Sequence, residues 1–189
     1  MTKSPNPQLD ETTISSEQIF KGKVISLQVD TVELPNGTQG KREIIRHPGA
    51  VAVLAVREGK LLLVNQYRQA MGRCELEIPA GKLEVGEDPM EAAQRELKEE
   101  TGYDCSKIRL LHSFYTSPGF ADEIIHLYLA EDLIEGASSP DEDEFVEVHE
   151  ADLAEVKKYV ADGWIADAKT LLAVYMWELA MNTGQFGHA

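Results

Sequence analysis

Three glutamates, Glu96, Glu99 and Glu100, are spaced so that their carboxylates fall within one turn of a helix. In a helix, residues three and four positions apart lie on the same face. Like charges this close repel one another unless a cation binds them, and Mg²⁺ or Mn²⁺ takes oxygen ligands of this kind. The alternative is a solvated acidic helix face, which is common in soluble proteins. The spacing alone leaves both interpretations open.

The residues around the three glutamates predict where their helix begins and ends. Asp88 is a good N-cap, Pro89 suits the first helical position, and Gly102 supplies a C-terminal stop. Arg95 precedes Glu96 and so points about 100° away from it around the helix axis. Arg95 is expected to bind the preceding loop through Glu87. The sequence therefore predicts a capped helix with a carboxylate face.

Acidic residues are concentrated in two parts of the chain. The chain has 18 basic and 33 acidic residues, a formal net charge of −15, which argues against nucleic-acid binding. Residues 81–104 carry eight acidic and three basic residues, and residues 131–155 carry eleven acidic and no basic ones. Such clusters fit either solvated acid runs or carboxylates gathered around hard cations.

The elements around the acidic helix predict a mixed α/β sheet with helices on its faces. Residues 1–14 are predicted to be a mobile tail, because they contain prolines and no periodic apolar pattern. Residues 15–47 are expected to form an N-terminal antiparallel β-hairpin subdomain around the turn sequence Pro35-Asn36-Gly37. Residues 48–189 form the second predicted domain, with strands at 51–56, 61–68, 75–80, 108–116, 123–133 and 145–150, and later helices at 151–162 and 167–181.

Composition and motif searches exclude several other classes of protein. No apolar run approaches the roughly 20 residues of a membrane-spanning helix, and the polar N-terminus does not resemble a signal peptide. Two cysteines, Cys74 and Cys105, make no disulfide framework, so a cytoplasmic location is expected. The five histidines show neither the spacing of a zinc site nor that of a nucleophile triad.

The stretch GKLEVGEDPMEAAQRELKEETGYD, residues 81–104, resembles the Nudix box. The resemblance implies the Nudix fold, an α/β/α sandwich around a mixed β-sheet, and Mg²⁺-dependent hydrolysis of a nucleoside diphosphate linked to another group. It implies that Glu96, Glu99 and Glu100 bind the metal, with the backbone carbonyl of Ala80 as a further ligand. The matching positions with a structural role are Gly81, Glu87, Arg95 and Gly102, of which Glu87 and Arg95 hold the loop on the helix.

A second resemblance narrows the family. In YTSPGFADE, residues 115–123, Pro118 follows Gly102 by sixteen positions, which resembles the proline signature of ADP-ribose pyrophosphatases. Over residues 18–180 the chain resembles the bacterial homodimeric members, which implies hydrolysis of ADP-ribose to AMP and ribose 5-phosphate and a homodimer with exchanged N-terminal subdomains. The implied substrate contacts are Arg68 to phosphate, Arg42 toward the partner's site, and Glu123, in the loop after Pro118, to the terminal ribose. Pro118 itself is also implied as a substrate-binding residue, and Phe20 is a candidate for stacking on adenine.

The second acidic cluster lies in a loop before the strand FVEV. Related pyrophosphatases that resemble this chain at EFVEV use a glutamate of this loop as the general base, which implies Glu144, with Glu142 as the alternate. The other interpretation is a solvated loop, in which case a helix glutamate such as Glu99 is the base.

Three other functions stay open from the sequence. The chain is alternatively a hydrolase of other nucleoside diphosphate sugars, such as ADP-sugars or GDP-mannose. It is alternatively a nucleotide-sugar-binding module without catalysis, although the intact carboxylate set argues against this. The third alternative is a purely acidic interaction domain, which predicts no metal-dependent activity. In none of these cases is nucleic acid or a membrane an expected partner.

Overall fold

The computed structural model describes residues 6–137 and 145–184. These residues fall into two compact units. The N-terminal unit comprises the chain up to Gly49 together with Tyr115–Ile124, and the larger unit comprises Ala50–Phe114 and the chain from Ile125. The predicted division after residue 47 assigned the segment 115–124 to the second domain. The structure instead joins it to the N-terminal unit, because the Ile45 N–H donates to the Phe120 carbonyl, 2.7 Å away.

The N-terminal unit is built on a three-stranded antiparallel sheet in the order β1-β2-β3. A 3₁₀ turn, Pro7–Leu9, precedes it. The predicted hairpin is present in this sheet as β2 and β3, around the turn at Gly37, whose φ is 79°. The strands are β1 (Thr12–Lys21), β2 (Ser26–Glu33) and β3 (Gln39–Arg46).

The strand β1 was missed by the sequence analysis, which placed the end of a mobile tail at residue 14. The strand begins at Thr12, which pairs with Glu33, and continues to Lys21 opposite Ser26. All ten of its side chains are exposed. A strand without a buried face has no period-two apolar pattern, and its position is set by backbone pairing to β2.

The larger unit contains a mixed sheet in the order β10-β5-β4-β9-β8, with β6 paired to β5 and β7 to β4. The pairing of β4 with β9 is parallel, whereas β5 pairs with β10, β4 and β6 antiparallel. This mixed sheet agrees with the predicted fold class. The strands are β4 (Ala50–Arg57), β5 (Lys60–Arg68), β6 (Arg73–Glu77), β7 (Ala80–Lys82), β8 (Tyr103–Tyr115), β9 (Ile124–Glu135) and β10 (Val146–Asp152).

Strand β4 is apolar on both faces because helices cover both sides of the sheet. Alternate β4 residues, Ala52 and Leu54, belong to a core cluster with residues of the second and third helices. The residues between them, Val51 and Val53, belong to a second cluster with Ala92 and Leu97 of the first helix. This arrangement explains why the segment 51–56 shows no polar alternation. It also places the first helix against buried residues of β4.

Three helices complete the larger unit, α1 (Pro89–Thr101), α2 (Leu153–Ala161) and α3 (Ala168–Thr183). The predicted ends of α1 are confirmed, because the Asp88 side chain accepts hydrogen bonds from Met90 and Glu91, and Gly102 adopts φ 78°. Helix α2 begins two residues later than predicted, because Asp152 is its N-cap and forms a capping box with Glu155. Among the described residues, no helix is long and apolar enough to cross a membrane.

Candidate metal and phosphate site

Helix α1 places three carboxylates beside the short strand β7. Glu96 and Glu100 are 7% and 2% exposed, and Glu99 is partly exposed. The apolar face of α1 packs against the sheet through Ala92, Ala93 and Leu97, which fixes the rotation of the helix. Tertiary packing therefore orients the carboxylates that helical spacing brought together.

Arg95 binds three carboxylates at once. Its Nε donates to Glu87 over 2.9 Å, and its Nη1 donates to Glu96 over 2.8 Å and to Glu99 over 2.9 Å. The contact with Glu87 is the link between helix and loop that the sequence predicted, whereas the two contacts with its helix neighbours were not foreseen. The hydrogen bond from Arg95 lowers the pKa of Glu87, and Glu87 in turn raises the pKa of Arg95.

The start of the Nudix-like box approaches the helix so closely that only glycine fits. A Cβ atom at Gly81 would overlap the carboxylate of Glu96. One residue earlier, the Ala80 N–H donates to Oε2 of Glu100 over 3.0 Å. The hydrogen bond and the close approach at Gly81 place the β7 backbone next to the carboxylates of Glu96 and Glu100.

The chemistry of these donors fits a hard divalent cation. Three carboxylates and a backbone carbonyl are the oxygen ligands that Mg²⁺ and Mn²⁺ prefer. Two of the carboxylates, Glu96 and Glu99, accept hydrogen bonds from Arg95 in this structure. Within residues 6–137 and 145–184, no group of three acidic, histidine or cysteine side chains is close enough together to hold a metal ion. The site carries more negative than positive charge, because one arginine, Arg95, lies among four glutamates: Glu87, Glu96, Glu99 and Glu100. A bound cation would reduce the repulsion between these carboxylates.

Arg68 ends strand β5 in the same unit and forms a bidentate ion pair with Glu77. Its Nε and Nη2 donate to the two oxygens of Glu77, each over 2.6 Å. These hydrogen bonds are the largest cause of the raised pKa of Arg68, and the negative charge of Glu100 adds to the rise. The guanidinium side chain is 38% exposed. Arg68 is thus charged, oriented and open to a ligand.

Glu77 and its second partner, Lys169, were missed by the sequence analysis. Glu77 lies in the strand sequence ELEIPA, which is followed directly by Gly81, and its side chain is 2% exposed. A glutamate buried within an apolar strand is unusual unless it is paired, and this was the one available signal. Lys169 lies in α3, 92 residues away, and no local pattern indicates their contact.

The four remaining predicted substrate residues belong to the N-terminal unit. Phe20 is exposed on β1, and Arg42 on β3 is ion-paired with Glu11. Glu123 accepts a hydrogen bond from Thr116 over 2.5 Å. Pro118 lies in a turn in which the Phe120 N–H donates to the Ser117 carbonyl over 3.0 Å. The predicted bases Glu142 and Glu144 lie outside the described residues.

Residues 45–173 match the family model described as the NUDIX domain. The chain belongs to the Nudix family. Residues 11–45 match a second model, the nucleoside diphosphate sugar hydrolase N-terminal domain. This second match covers β1, β2 and most of β3 of the three-stranded sheet.

Two relatives are equally similar to this Nudix chain. The methanol dehydrogenase activator of Bacillus methanolicus is 56% identical over 173 residues, which cover 90% of this chain and 94% of the relative. The ADP-ribose pyrophosphatase of Bacillus subtilis (strain 168) is 56% identical over 174 residues, with the same coverage. A solved structure of an ADP compounds hydrolase has a TM-score of 0.82 at 23% identity, covering 97% of this chain and 99% of that chain. The predicted Nudix fold is therefore confirmed.

Proposed function

We propose that this chain hydrolyses the pyrophosphate bond of ADP-ribose, giving AMP and ribose 5-phosphate, with Mg²⁺ as its cofactor. The observation that carries the proposal is the placement of Glu96, Glu99 and Glu100 on α1 beside β7. The choice of ADP-ribose is supported by the Bacillus subtilis relative, which is named for that reaction. Addition of one water across the phosphorus–oxygen–phosphorus bridge yields both products.

The proposed metal ligands are the carboxylates of Glu96, Glu99 and Glu100 and the carbonyl oxygen of Ala80. A bound Mg²⁺, or Mn²⁺ in its place, offsets the charge of the diphosphate and makes a water molecule more acidic. Glu87 holds Arg95, and Arg95 limits repulsion among the carboxylates. These contacts hold the carboxylates of α1 in fixed positions before the cation binds. In phosphoryl transfer, such fixed positioning of charges contributes most of the catalysis.

The proposed substrate contacts are Arg68 in the larger unit and, separately, residues of the N-terminal unit. Arg68 holds a phosphate with the edge of its guanidinium that Glu77 does not occupy. From the N-terminal unit, Phe20 stacks on adenine, Glu123 binds the terminal ribose beside the turn at Pro118, and Arg42 reaches the site of a partner subunit.

The metal site is tested by replacing ligands on α1 one at a time. Glu99→Gln and Glu100→Gln should each lower ADP-ribose turnover by about two orders of magnitude, because each loses a charge that holds the cation. Glu91→Gln is the matched control, since Glu91 is exposed on the first turn of the same helix. Turnover at the wild-type level in both ligand variants would refute the metal site. Hydrolysis in ¹⁸O-labelled water, followed by mass spectrometry of AMP and ribose 5-phosphate, identifies the phosphorus that is attacked.

The proposed general base is Glu144, with Glu142 as the alternate, and both precede strand β10 in the sequence. Glu144→Gln should reduce turnover strongly while the affinities for ADP-ribose and Mg²⁺ change little, because the interaction is made only in the transition state. Near-normal turnover in the Glu142→Gln, Glu144→Gln double variant would remove the loop from the mechanism. Glu99 would then be the candidate base.

The specificity for ADP-ribose is tested with a panel of substrates. The runner-up function is hydrolysis of other nucleoside diphosphate sugars, which the match of the N-terminal part to a sugar hydrolase model also supports. The name of the Bacillus methanolicus relative gives no substrate. We expect the highest kcat/KM for ADP-ribose among ADP-ribose, ADP-glucose and GDP-mannose. A higher value for another sugar would favour the runner-up, and binding without turnover would indicate a binding module.

We also propose that the chain is a homodimer that shares its active sites through exchange of the N-terminal sheets. Ile14, Ile19 and Phe20 are exposed apolar side chains on the edge strand β1, and edge strands of this kind favour pairing with another chain. Mixing Arg42→Ala protein with Glu99→Gln protein should restore turnover if the sites are shared. A fully active monomer in sedimentation would exclude sharing. The free thiols of Cys74 and Cys105 suit the proposed cytoplasmic location.

A further inference from the structure

A cluster of four charged side chains joins the end of strand β5 to the first turn of helix α3. Glu77 accepts hydrogen bonds from Arg68 on one side and from Lys169 on the other. Lys169 also donates to Oδ1 of Asp167 over 2.9 Å. The Glu77 and Lys169 side chains are 2% and 11% exposed, so their ion pair is shielded from water and from salt, whereas Arg68 is 38% exposed.

The electrostatics of this cluster show why two cations meet at one carboxylate. Burial raises the pKa of Glu77, but the hydrogen bonds and charges of Arg68 and Lys169 outweigh burial and lower the pKa overall. A bidentate pair of Arg68 and Glu77 alone has no net charge and attracts a phosphate weakly. Lys169 adds a second positive charge, so Arg68, Glu77 and Lys169 together carry one net positive charge. Asp167 brings the formal sum of the four side chains to zero, and the positive end of α3, which Asp167 caps, offsets part of its charge.

The first turn of α3 also fixes the backbone that leads to the proposed metal site. The Thr170 hydroxyl accepts a hydrogen bond from the Ile78 N–H over 3.0 Å, and Thr170 is fully buried. Two residues further along, the Ala80 N–H is bound by Glu100. Lys169 therefore lies on a turn whose position relative to Glu77 and Ala80 is set by direct hydrogen bonds.

The pairing between Arg68 and Glu77 leaves one edge of the guanidinium for a ligand. Glu77 occupies the Nε and Nη2 edge. The Nη1 group points away from that edge, because the five N–H donors of a guanidinium lie in a rigid planar fork. Any rotation of Glu77 would therefore rotate the donor that a phosphate meets. Lys169, which donates a second hydrogen bond to Glu77, restrains this rotation.

We propose that Lys169 is a positioning residue for the diphosphate, acting through Glu77 to orient Arg68 and to offset the negative charge of Glu77. The proposal rests on the proposed function, since it takes Arg68 as a phosphate contact. Lys169 itself touches neither the substrate nor a metal ligand. Helix α3 thus contributes to phosphate recognition, although no residue of α3 belongs to the Nudix-like box.

The test replaces Lys169 and measures binding and turnover separately. Lys169→Met keeps much of the side-chain length and removes the charge, and Lys169→Arg keeps the charge and a donor. Lys157→Met is the matched control, because Lys157 on α2 forms an ion pair with Glu178 on α3 at the protein surface. The ligands are ADP-ribose, and ADP as a probe that carries only the diphosphate and the nucleoside.

We expect Lys169→Met to weaken ADP binding about tenfold in calorimetry, the effect of one impaired charge-assisted hydrogen bond. The KM for ADP-ribose should rise by a similar factor while kcat changes little, because Arg68 binds ground state and transition state alike. Lys169→Arg should restore most of the affinity, and Lys157→Met should behave as the wild type. In an Arg68→Ala background, Lys169→Met should add almost nothing, since its effect passes through Arg68.

Several outcomes would overturn the proposal. One is an unchanged ADP affinity in Lys169→Met. Another is that Lys169→Met lowers the ADP affinity equally in the wild-type and the Arg68→Ala backgrounds, which would indicate a general structural role. A folded wild type that binds ADP but does not cleave ADP-ribose refutes the proposed function only, because the ADP comparison still tests Lys169. A wild type that binds neither ligand overturns both proposals. Melting temperatures of the variants identify losses caused by unfolding.

Discussion

Replacing Gly81 by alanine is the sharpest test of the close approach between β7 and α1. The Cβ atom of an alanine would overlap both oxygens and the carbon of the Glu96 carboxylate. A comfortable separation between carbon atoms is about 3.5–4.0 Å. The Glu96 carboxylate therefore has to move by more than about 1 Å to reach van der Waals contact. Backbone strain plays no part, because Gly81 is not among the glycines with positive φ.

The size of the effect differs between stability and catalysis. Inserting one methyl group into a well-packed site costs about 1–3 kcal/mol, and each kcal/mol lowers the melting temperature by about 2–4 °C in a domain of this size. A misplacement of about 1 Å at a catalytic group costs about a hundredfold in rate. Gly81→Ala should therefore melt roughly 2–12 °C lower and lose about 99% of its ADP-ribose turnover at temperatures where it is folded.

The assay combines calorimetric melting with AMP release at several Mg²⁺ concentrations. Gly119→Ala is the steric control for stability, since no atom lies within 4 Å of a Cβ there, and its unfolding free energy should stay within about 0.5 kcal/mol of the wild type. If Gly81 acts through Glu96, Gly81→Ala should add little to the loss seen in Glu96→Gln. Wild-type turnover with an unchanged Mg²⁺ dependence in Gly81→Ala would refute the reasoning.

Three further predictions concern charge, pH and a buried hydrogen bond. Without Mg²⁺, Arg95→Met should have a lower melting temperature than the wild type, because Glu96 and Glu99 then repel each other. Added Mg²⁺ should raise the melting temperature of Arg95→Met by more than that of the wild type. Equal increases in calorimetry would contradict this. The lowered pKa of Glu77 stabilises the folded state at pH values above 4.5, the ordinary pKa of the group, and this stabilisation is lost as the pH falls through the lowered pKa. The difference in unfolding free energy between wild type and Glu77→Gln should therefore narrow in acid. A constant difference in urea unfolding across a series of acidic pH values would argue against this. Thr170→Val leaves the Ile78 N–H without its acceptor and should cost about 1–3 kcal/mol in urea unfolding; an unchanged midpoint would count against this role.

The sequence alone determined the features that depend on neighbouring residues. Helix α1 begins after Asp88 and ends at Gly102 because caps act within a few residues of the helix ends. The grouping of Glu96, Glu99 and Glu100 follows from helical periodicity. The Nudix-like pattern is a local pattern too, and the family match agrees with it.

The tertiary structure decided the features that depend on residues far apart in the chain. Strand β1 has no buried face, so its existence follows only from its pairing with β2. The cluster at Glu77 needs Lys169, 92 residues away. A local pattern records which face of an element is apolar, but it does not record which distant element covers that face. The ion pair that orients Arg68 therefore becomes visible only when β5, β6 and α3 pack together.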